Sequence, residues 1–185
     1  LQVSKERSIL MEIKHLIIGG GAIDDALANE LKDFPNQVWS TYGMTETLSH
    51  IALRRLNGTD ASDWYTPFDN VRIRLSEEGT LIIHAPNVCA EELITNDIAE
   101  INEEGKFRIL GRKDNTINSG GVKIQIEQVE SHLKKHLDTP FLISARKDAK
   151  FGEIVVLIYN KVENEDDIRR VCESELPTYW VPKAY

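Results

Sequence analysis

Cysteine is scarce in this sequence: 185 residues hold two, Cys89 and Cys172, far apart and without a CxxC spacing. That argues against metal or redox use of the thiols, and the expectation is two buried cysteines in a reducing cytoplasm. Positive charge is also in deficit, with 22 Lys and Arg against 30 Asp and Glu and a net charge of −8. No basic stripe forms, so the phosphate neutralisation that sequence-independent nucleic-acid binding needs is missing. Long apolar runs are missing too, and none approaches the length that crosses a bilayer. No signal peptide is expected, since Leu1 to Arg7 is polar and the apolar stretch after it is short. The expectation is a cytoplasmic protein with neither membrane nor nucleic acid as a partner. The chain opens at Leu1 rather than Met, so its start is expected not to be a native one.

What is present suits a folded protein. A hydrophobic content of 41% can support a core, and 28% charged residues fit a globular chain. The length allows one domain or two small ones. A small anion can still bind, because local N–H groups and a bound cation decide that rather than net charge.

Ile13 to Ile18 reads as a buried strand stopped by Gly19, Gly20 and Gly21. Ile23, Leu27 and Leu31 then share a helix face, with Asp24 and Asp25 near the favoured N-terminal end. Val38 to Ser40 reads as a short strand running into a polar loop, Thr41 to Thr47. This is α/β organisation, in which ligands bind at loops beyond the carboxyl ends of strands. Asn57 to Asp69 reads as a surface loop. Val71 to Leu75 with Thr80 to His84, and Ile98 to Ile101 with Lys106 to Leu110, read as two hairpins. They form a small antiparallel β unit over about 70–111. Farther on, Val129, Leu133 and Leu137 share a helix face. Phe141 to Ala145 and Ile154 to Tyr159 read as strands, and Asp166 to Leu176 as a helix stopped at Pro177. The fold class is therefore α/β (α+β), with domains at 1–113 and 114–185.

Three segments carry candidate chemistry. Tyr42-Gly43-Met44-Thr45-Glu46-Thr47 follows Ser40 and Thr41. Its Tyr can stack on a base, its Gly admits a ligand to the backbone, its Thr can donate to phosphate and its Glu can hold magnesium. An ordinary turn with a helix cap is the alternative. Thr95-Asn96-Asp97 places a carboxylate where two ribose hydroxyls could donate to it, or it is an Asx turn. Gly111 to Ile124 sets Arg112 and Lys123 about a glycine pair, as a phosphate contact or as an interdomain linker with a tight turn.

In this order and spacing the segments resemble the adenylate-forming superfamily of acyl-CoA and aryl-CoA ligases, luciferases and peptide-synthetase adenylation domains. YGMTET at 42–47 resembles its YGxTE motif, and TND at 95–97 its TGD motif with Asn96 in place of Gly. GRKDNTINSGGVKIQIEQVE at 111–130 resembles GRxDxxIxxxGxRIxxxEIE, with Lys123 where many members have Arg. GGA at 20–22 resembles an adenine-side motif. The resemblance implies that Tyr42 stacks on adenine, with Ile117 closing the other face. It implies that Gly20, Gly21, Ala22, Ser40 and Thr41 line the adenine and acyl pockets beside Gly43. Thr45 would contact the α-phosphate, and Glu46 would ligate magnesium. Asp97 would hold the ribose, helped by Arg112. Asp114 would be the hinge, Gly121 would border the CoA tunnel and Lys123 would meet phosphate.

The implied reaction joins a small carboxylic acid to CoA through an acyl-adenylate, using ATP and Mg2+. STYGMTETLSHIALRRLNG at 40–58, with GGGAI at 19–23, is similar to the o-succinylbenzoate–CoA ligases of menaquinone synthesis. There His50 would read the substrate or serve as a structural histidine. A carrier-loading adenylation domain and a non-catalytic nucleotide-binding remnant remain as alternatives, and a homodimer stays open. The family's Ser/Thr/Gly-rich phosphate loop and its late catalytic lysine have no counterpart here, Lys183 included. The polypeptide alone is therefore expected to be inactive.

Overall fold

In the computed structural model, which describes residues 4–21, 23, 25–160 and 164–185, strand β1 (His15–Ile18) lies between two short helices. These are α1 (Ser4–Glu12) and α2 (Asp25–Leu31). Helix α1 was not anticipated. Leu10 and Met11 pack on Leu31, Phe34, Val38 and Leu56, whereas Ile9 stays exposed, so its apolar face is too narrow to show as a periodicity. Ala22 and Asp24 lie outside the described residues.

Strand β2 (Gln37–Gly43) pairs in parallel with β1 and antiparallel with β3 (His50–Arg55). The strand expected over Val38 to Ser40 is longer at its C-terminal end. It continues because β3 supplies partners through Tyr42↔Ala52 and Gly43↔His50, and cross-strand pairing overrides the polar character of Thr41. The strip β4 (Thr66–Pro67) completes the sheet inside the loop expected over 57–69.

Asn57 secures the base of this sheet. It is buried, and its Oδ1 accepts from the Val38 N–H (3.0 Å) and Arg55 Nε (3.0 Å). Its Nδ2 donates to the carbonyls of Phe34 (3.0 Å) and Asn36 (2.8 Å). Every polar capacity of this amide is used, which is the condition for burying it.

A second sheet has the order β5 (Arg72–Leu75), β6 (Thr80–His84), β7 (Leu93–Ile101), β8 (Phe107–Arg112). Its core residues Leu81, Ile83, Ala99 and Phe107 are joined by Ile51, Ala52 and Tyr65. The β7–β8 hairpin is longer than expected. It places Thr95, Asn96 and Asp97 within a strand rather than at its end, and Gly111 and Arg112 in a strand rather than a turn.

A third sheet has the order β10 (Val122–Gln125), β9 (Thr116–Ser119), β12 (Gly152–Tyr159), β11 (Phe141–Asp148). Gly120 and Gly121 form the whole β9–β10 turn with φ of 58° and 86°. Both are left-handed, as a two-residue hairpin turn requires. Helices α3 (Ile126–Leu133) and α4 (Glu165–Glu175) lay Val129, Leu133, Ile168 and Cys172 on Ile117, Ile124, Ile143, Val155 and Leu157. Asn164 caps α4 by accepting from the Asp166 N–H at 3.1 Å. Cys172 is buried as expected, but Cys89 is only partly so, because it sits in the β6–β7 connection.

The chain divides into two compact units. One holds the residues up to Thr95 and Ala99–Ile109; the other holds Asn96–Ile98 and Leu110–Tyr185. No described helix is long and apolar enough to cross a membrane.

Candidate functional site

In the first unit the hydroxyl and carboxylate candidates sit on one turn. Residues Thr45–Thr47 form a 3-10 turn directly after β2. Thr47 is its buried anchor: its Oγ1 accepts from the Met44 N–H (3.0 Å) and lies 2.6 Å from the Ser49 carbonyl. Thr45 and Glu46 are left facing outward and exposed. The next residue, Leu48, has φ of 59°, the left-handed region, and is 81% exposed. Glycine at position 43 is sterically required, because a Cβ there would strike the Ser49 carbonyl oxygen and lie 2.7 Å from His50 Cα.

Tyr42 is backed by two aromatic rings. Its centroid lies 5.1 Å from Phe107, edge to face, and 5.9 Å from Tyr65, which stacks on Phe107 at 5.5 Å. Such packing fixes the ring plane, as a stacking platform needs. Neither Tyr65 nor Phe107 is singled out by sequence: Phe107 lies in a strand-like stretch, but Tyr65 falls in the expected loop over 57–69 and is held by a bridge to Phe107. Thr41 sits beside Gly19, where a Cβ would fall 2.5 Å from Thr41 Oγ1. Gly20 has φ of 89° and open space around its Cα, and Gly21 is likewise open. His50 is exposed, with Nδ1 3.1 Å from Ser49 Oγ and its ring edge-on to Phe68 at 5.6 Å.

Ser40 departs from the expectation. It is 0% exposed, and its hydroxyl is 2.9 Å from Tyr65 OH. It faces the core because alternation along β2 turns Val38 and Ser40 inward, so it lines no open pocket in this structure.

In the second unit four polar residues form one chain of contacts. Arg112 donates to Asp97 Oδ1 (3.4 Å) and to Asp114 Oδ2 (3.3 Å), and Asn96 Nδ2 donates to the same Asp114 oxygen (3.3 Å). Asp97, with a side chain only 15% exposed, is the most enclosed of the two carboxylates. The guanidinium lies between two anions, which holds both carboxylates in one place. Asp97 and Arg112, separate candidates in the sequence, are thus direct partners. Asn96 was missed as a participant, although its replacement of a motif glycine was the available signal.

Gly111 explains the glycine that opens this segment. A Cβ there would lie 2.5 Å from Glu127 Oε2 and 2.8 Å from Gln125 Oε1. Gly121 and Lys123 are exposed on the β9–β10 hairpin. Ile117 departs from expectation: it is 1% exposed and packs with Ile124, Val129 and Leu133. The inward face of β9 takes Ile117 and Ser119, leaving Asn118 outward, so Ile117 presents no ring-sized face to a ligand. Lys183 lies 3.2 Å from the Phe151 ring centroid, a cation–π contact.

A surface groove of about 430 Å³ is lined by Arg72, Ile73, Arg74, Ile82, His84 and Glu92, none of them a motif residue.

No protein-family model matches the chain. Among curated proteins, it is 27% identical to the 2-succinylbenzoate–CoA ligase of Bacillus thuringiensis subsp. konkukian, over 92% of this chain and 42% of the relative. The ligase of Bacillus cereus strain ATCC 10987 is 28% identical over the same shares. The chain thus spans about two fifths of the length of these relatives. Among solved structures, an acyl-CoA synthetase (AMP-forming)/AMP-acid ligase II-like protein from Dyadobacter fermentans is 34% identical with a TM-score of 0.56, over 92% of this chain and 51% of that one. The unliganded o-succinylbenzoate CoA synthetase of Bacillus subtilis shares the fold, with a TM-score of 0.76 at 22% identity over 98% of this chain and 47% of that one. By sequence and by fold, this chain resembles the adenylate-forming superfamily, and within it the o-succinylbenzoate–CoA ligases.

Proposed function

We propose that this chain is part of an AMP-forming acid–thiol ligase that converts o-succinylbenzoate, ATP and CoA to o-succinylbenzoyl-CoA, AMP and pyrophosphate. The observation that carries the reading is the Asp97–Arg112–Asp114 constellation, three motif residues joined by hydrogen bonds. In this reading residues 1–113 end the large nucleotide-binding domain, and 114–185 begin the small one.

Each residue has a task that its setting suits. Tyr42, braced by Phe107 and Tyr65, gives adenine a face to stack on, and Gly20 and Gly21, with open space where a Cβ would be, line the pocket. Asp97 accepts from the ribose hydroxyls, and Arg112 keeps its carboxylate aimed. Thr45 donates to the α-phosphate. Glu46 is an exposed oxygen donor beside hydroxyls, a set that fits Mg2+, which prefers oxygen ligands and retains water. Magnesium bound there would neutralise phosphate charge. His50 reads the acid. The acid's carboxylate attacks the α-phosphorus and pyrophosphate leaves; the CoA thiol then attacks the acyl carbon and AMP leaves. Positioning and charge neutralisation supply most of the acceleration in such steps. Asp114 is the hinge of the reorientation between them, with Gly121 and Lys123 on the segment that moves.

The same reading makes the protein cytoplasmic and leaves this polypeptide alone inactive, since no Ser/Thr/Gly-rich phosphate loop occurs in its 185 residues. ATP–pyrophosphate exchange by the full-length protein across a panel of carboxylic acids tests it. Exchange dependent on o-succinylbenzoate, and lost in Asp97→Ala, is the expected result. Exchange with another acid only would overturn the substrate, and no exchange with any acid would overturn the ligase.

A further inference from the structure

His132, His136 and Glu175 bring two imidazoles and a carboxylate together on the second unit, with one donor atom from each within 4.8 Å of the others. We propose that these three side chains bind a divalent first-row transition metal ion, with zinc as the reference ion. The proposal stands apart from the ligase reading and uses none of its residues.

The sequence begins the arrangement. His132 and His136 are four residues apart, the spacing that sets two side chains on one helical face. Helix α3 ends at Leu133, but the chain keeps turning: the N–H groups of His136 and Leu137 both donate to the Leu133 carbonyl at 2.9 Å. The i, i+4 relation therefore survives past the helix end. The two rings lie nearly parallel, 5.7 Å apart at 28°. Packing brings the third ligand. Leu133 and Cys172 are both fully buried in one core, which seats α3 against α4 and places Glu175, the last residue of α4, beside His136.

One pair already stands at a coordination spacing, and a small turn of the His132 side chain would bring its nitrogen in from within 4.8 Å. His136 Nε2 is 3.5 Å from Glu175 Oε2, long for a hydrogen bond. Two ligands each about 2.0–2.1 Å from a tetrahedral zinc ion are separated by about 3.3–3.4 Å, which this pair matches. The other Glu175 oxygen, Oε1, has Ser174 Oγ at 3.1 Å, an outer partner that turns Oε2 toward the histidines. Three protein ligands leave a fourth position for water or an external ligand. Nitrogen and carboxylate donors together suit zinc, cobalt, nickel or copper rather than calcium or magnesium.

The full-length protein, stripped of metal, is titrated with Zn2+ by calorimetry and with Co2+ by visible absorption. One equivalent bound, with a tetrahedral cobalt spectrum, is expected. His136→Ala and Glu175→Gln should each weaken binding at least tenfold, while His15→Ala and His84→Ala leave it unchanged. The thermal midpoint should rise with zinc in the native protein and stay fixed in His136→Ala. Circular dichroism of the metal-free variants confirms that they fold, and His132→Ala serves as a second variant if one does not. No binding, or binding that all three ligand variants retain, would overturn the proposal.

Discussion

The amide of Asn96 donates to the carboxylate of Asp114 at 3.3 Å, on the same oxygen that Arg112 reaches. Asn96 occupies the position where the resembled motif has glycine, so the extra side chain is spent on the residue proposed as the hinge. Hydrogen bonds to charged groups contribute about 1.5–3 kcal/mol when enclosed and much less when exposed. Asp114 is largely exposed, whereas Asp97 is not. Asn96→Ala is therefore expected to change AMP affinity by less than about threefold, and Asp97→Ala to weaken it more than about tenfold. Equilibrium binding of AMP to the full-length protein checks both.

Asn57 offers a test of the first unit's integrity. Asn57→Asp keeps the acceptor but removes the donor for the Phe34 and Asn36 carbonyls, and it buries a charge. Stranding two carbonyls against the second carboxylate oxygen, while Val38 and Arg55 still serve the first, is expected to cost about 3 kcal/mol or more. Urea unfolding followed by tryptophan fluorescence reads the loss.

Gly43→Ala should destabilise through collision rather than lost contact, since the nearest atoms to the new Cβ are backbone atoms of Ser49 and His50. Backbone cannot rotate away, so a cost of about 1–3 kcal/mol is expected. Gly21→Ala, with open space at its Cβ, is the control and should be near neutral in the same thermal melt.

Leu48 is the one non-glycine residue with positive φ among those described. A leucine in that region carries roughly 1–2 kcal/mol of backbone strain, and its side chain is mostly exposed, so little packing is lost on removal. Leu48→Gly is expected to raise stability by up to about 1 kcal/mol, measured by chemical unfolding.

Asp148 gives a pH dependence. Its carboxylate accepts from the N–H groups of Phe151 (2.9 Å) and Lys150 (2.8 Å), and these bonds hold its pKa below the ordinary 3.8. The folded protein thus favours the ionised form. The stability this contributes is complete above the unfolded value and fades as pH falls through the lowered folded one. Asp148→Ala should be less stable than the native chain at pH 7, and the gap should narrow below pH 3.8. Thermal melts between pH 2 and 7 follow it, with Asp148→Asn, which can still accept both bonds, lying between the two.

Several elements were legible without coordinates because their signals are local. The strand at Thr80–His84 is reproduced end to end, and the helix expected at Asp166–Leu176 is shifted by one residue. Its capping residue and following proline are written in the sequence. The three motifs were legible as residue types at fixed spacing. The tertiary structure decided which way those residues face. Ser40, beside one motif, and Ile117, within another, point into cores, because strand alternation and what covers each inner face set direction: Tyr65 over Ser40, and helices α3 and α4 over Ile117. Asp97 and Arg112 are fifteen positions apart and become partners only when their strands share one sheet. The sequence alone determined the chemistry on hand through its order of side chains. Their encounters depended on long-range pairing and burial, which no short window of residues contains.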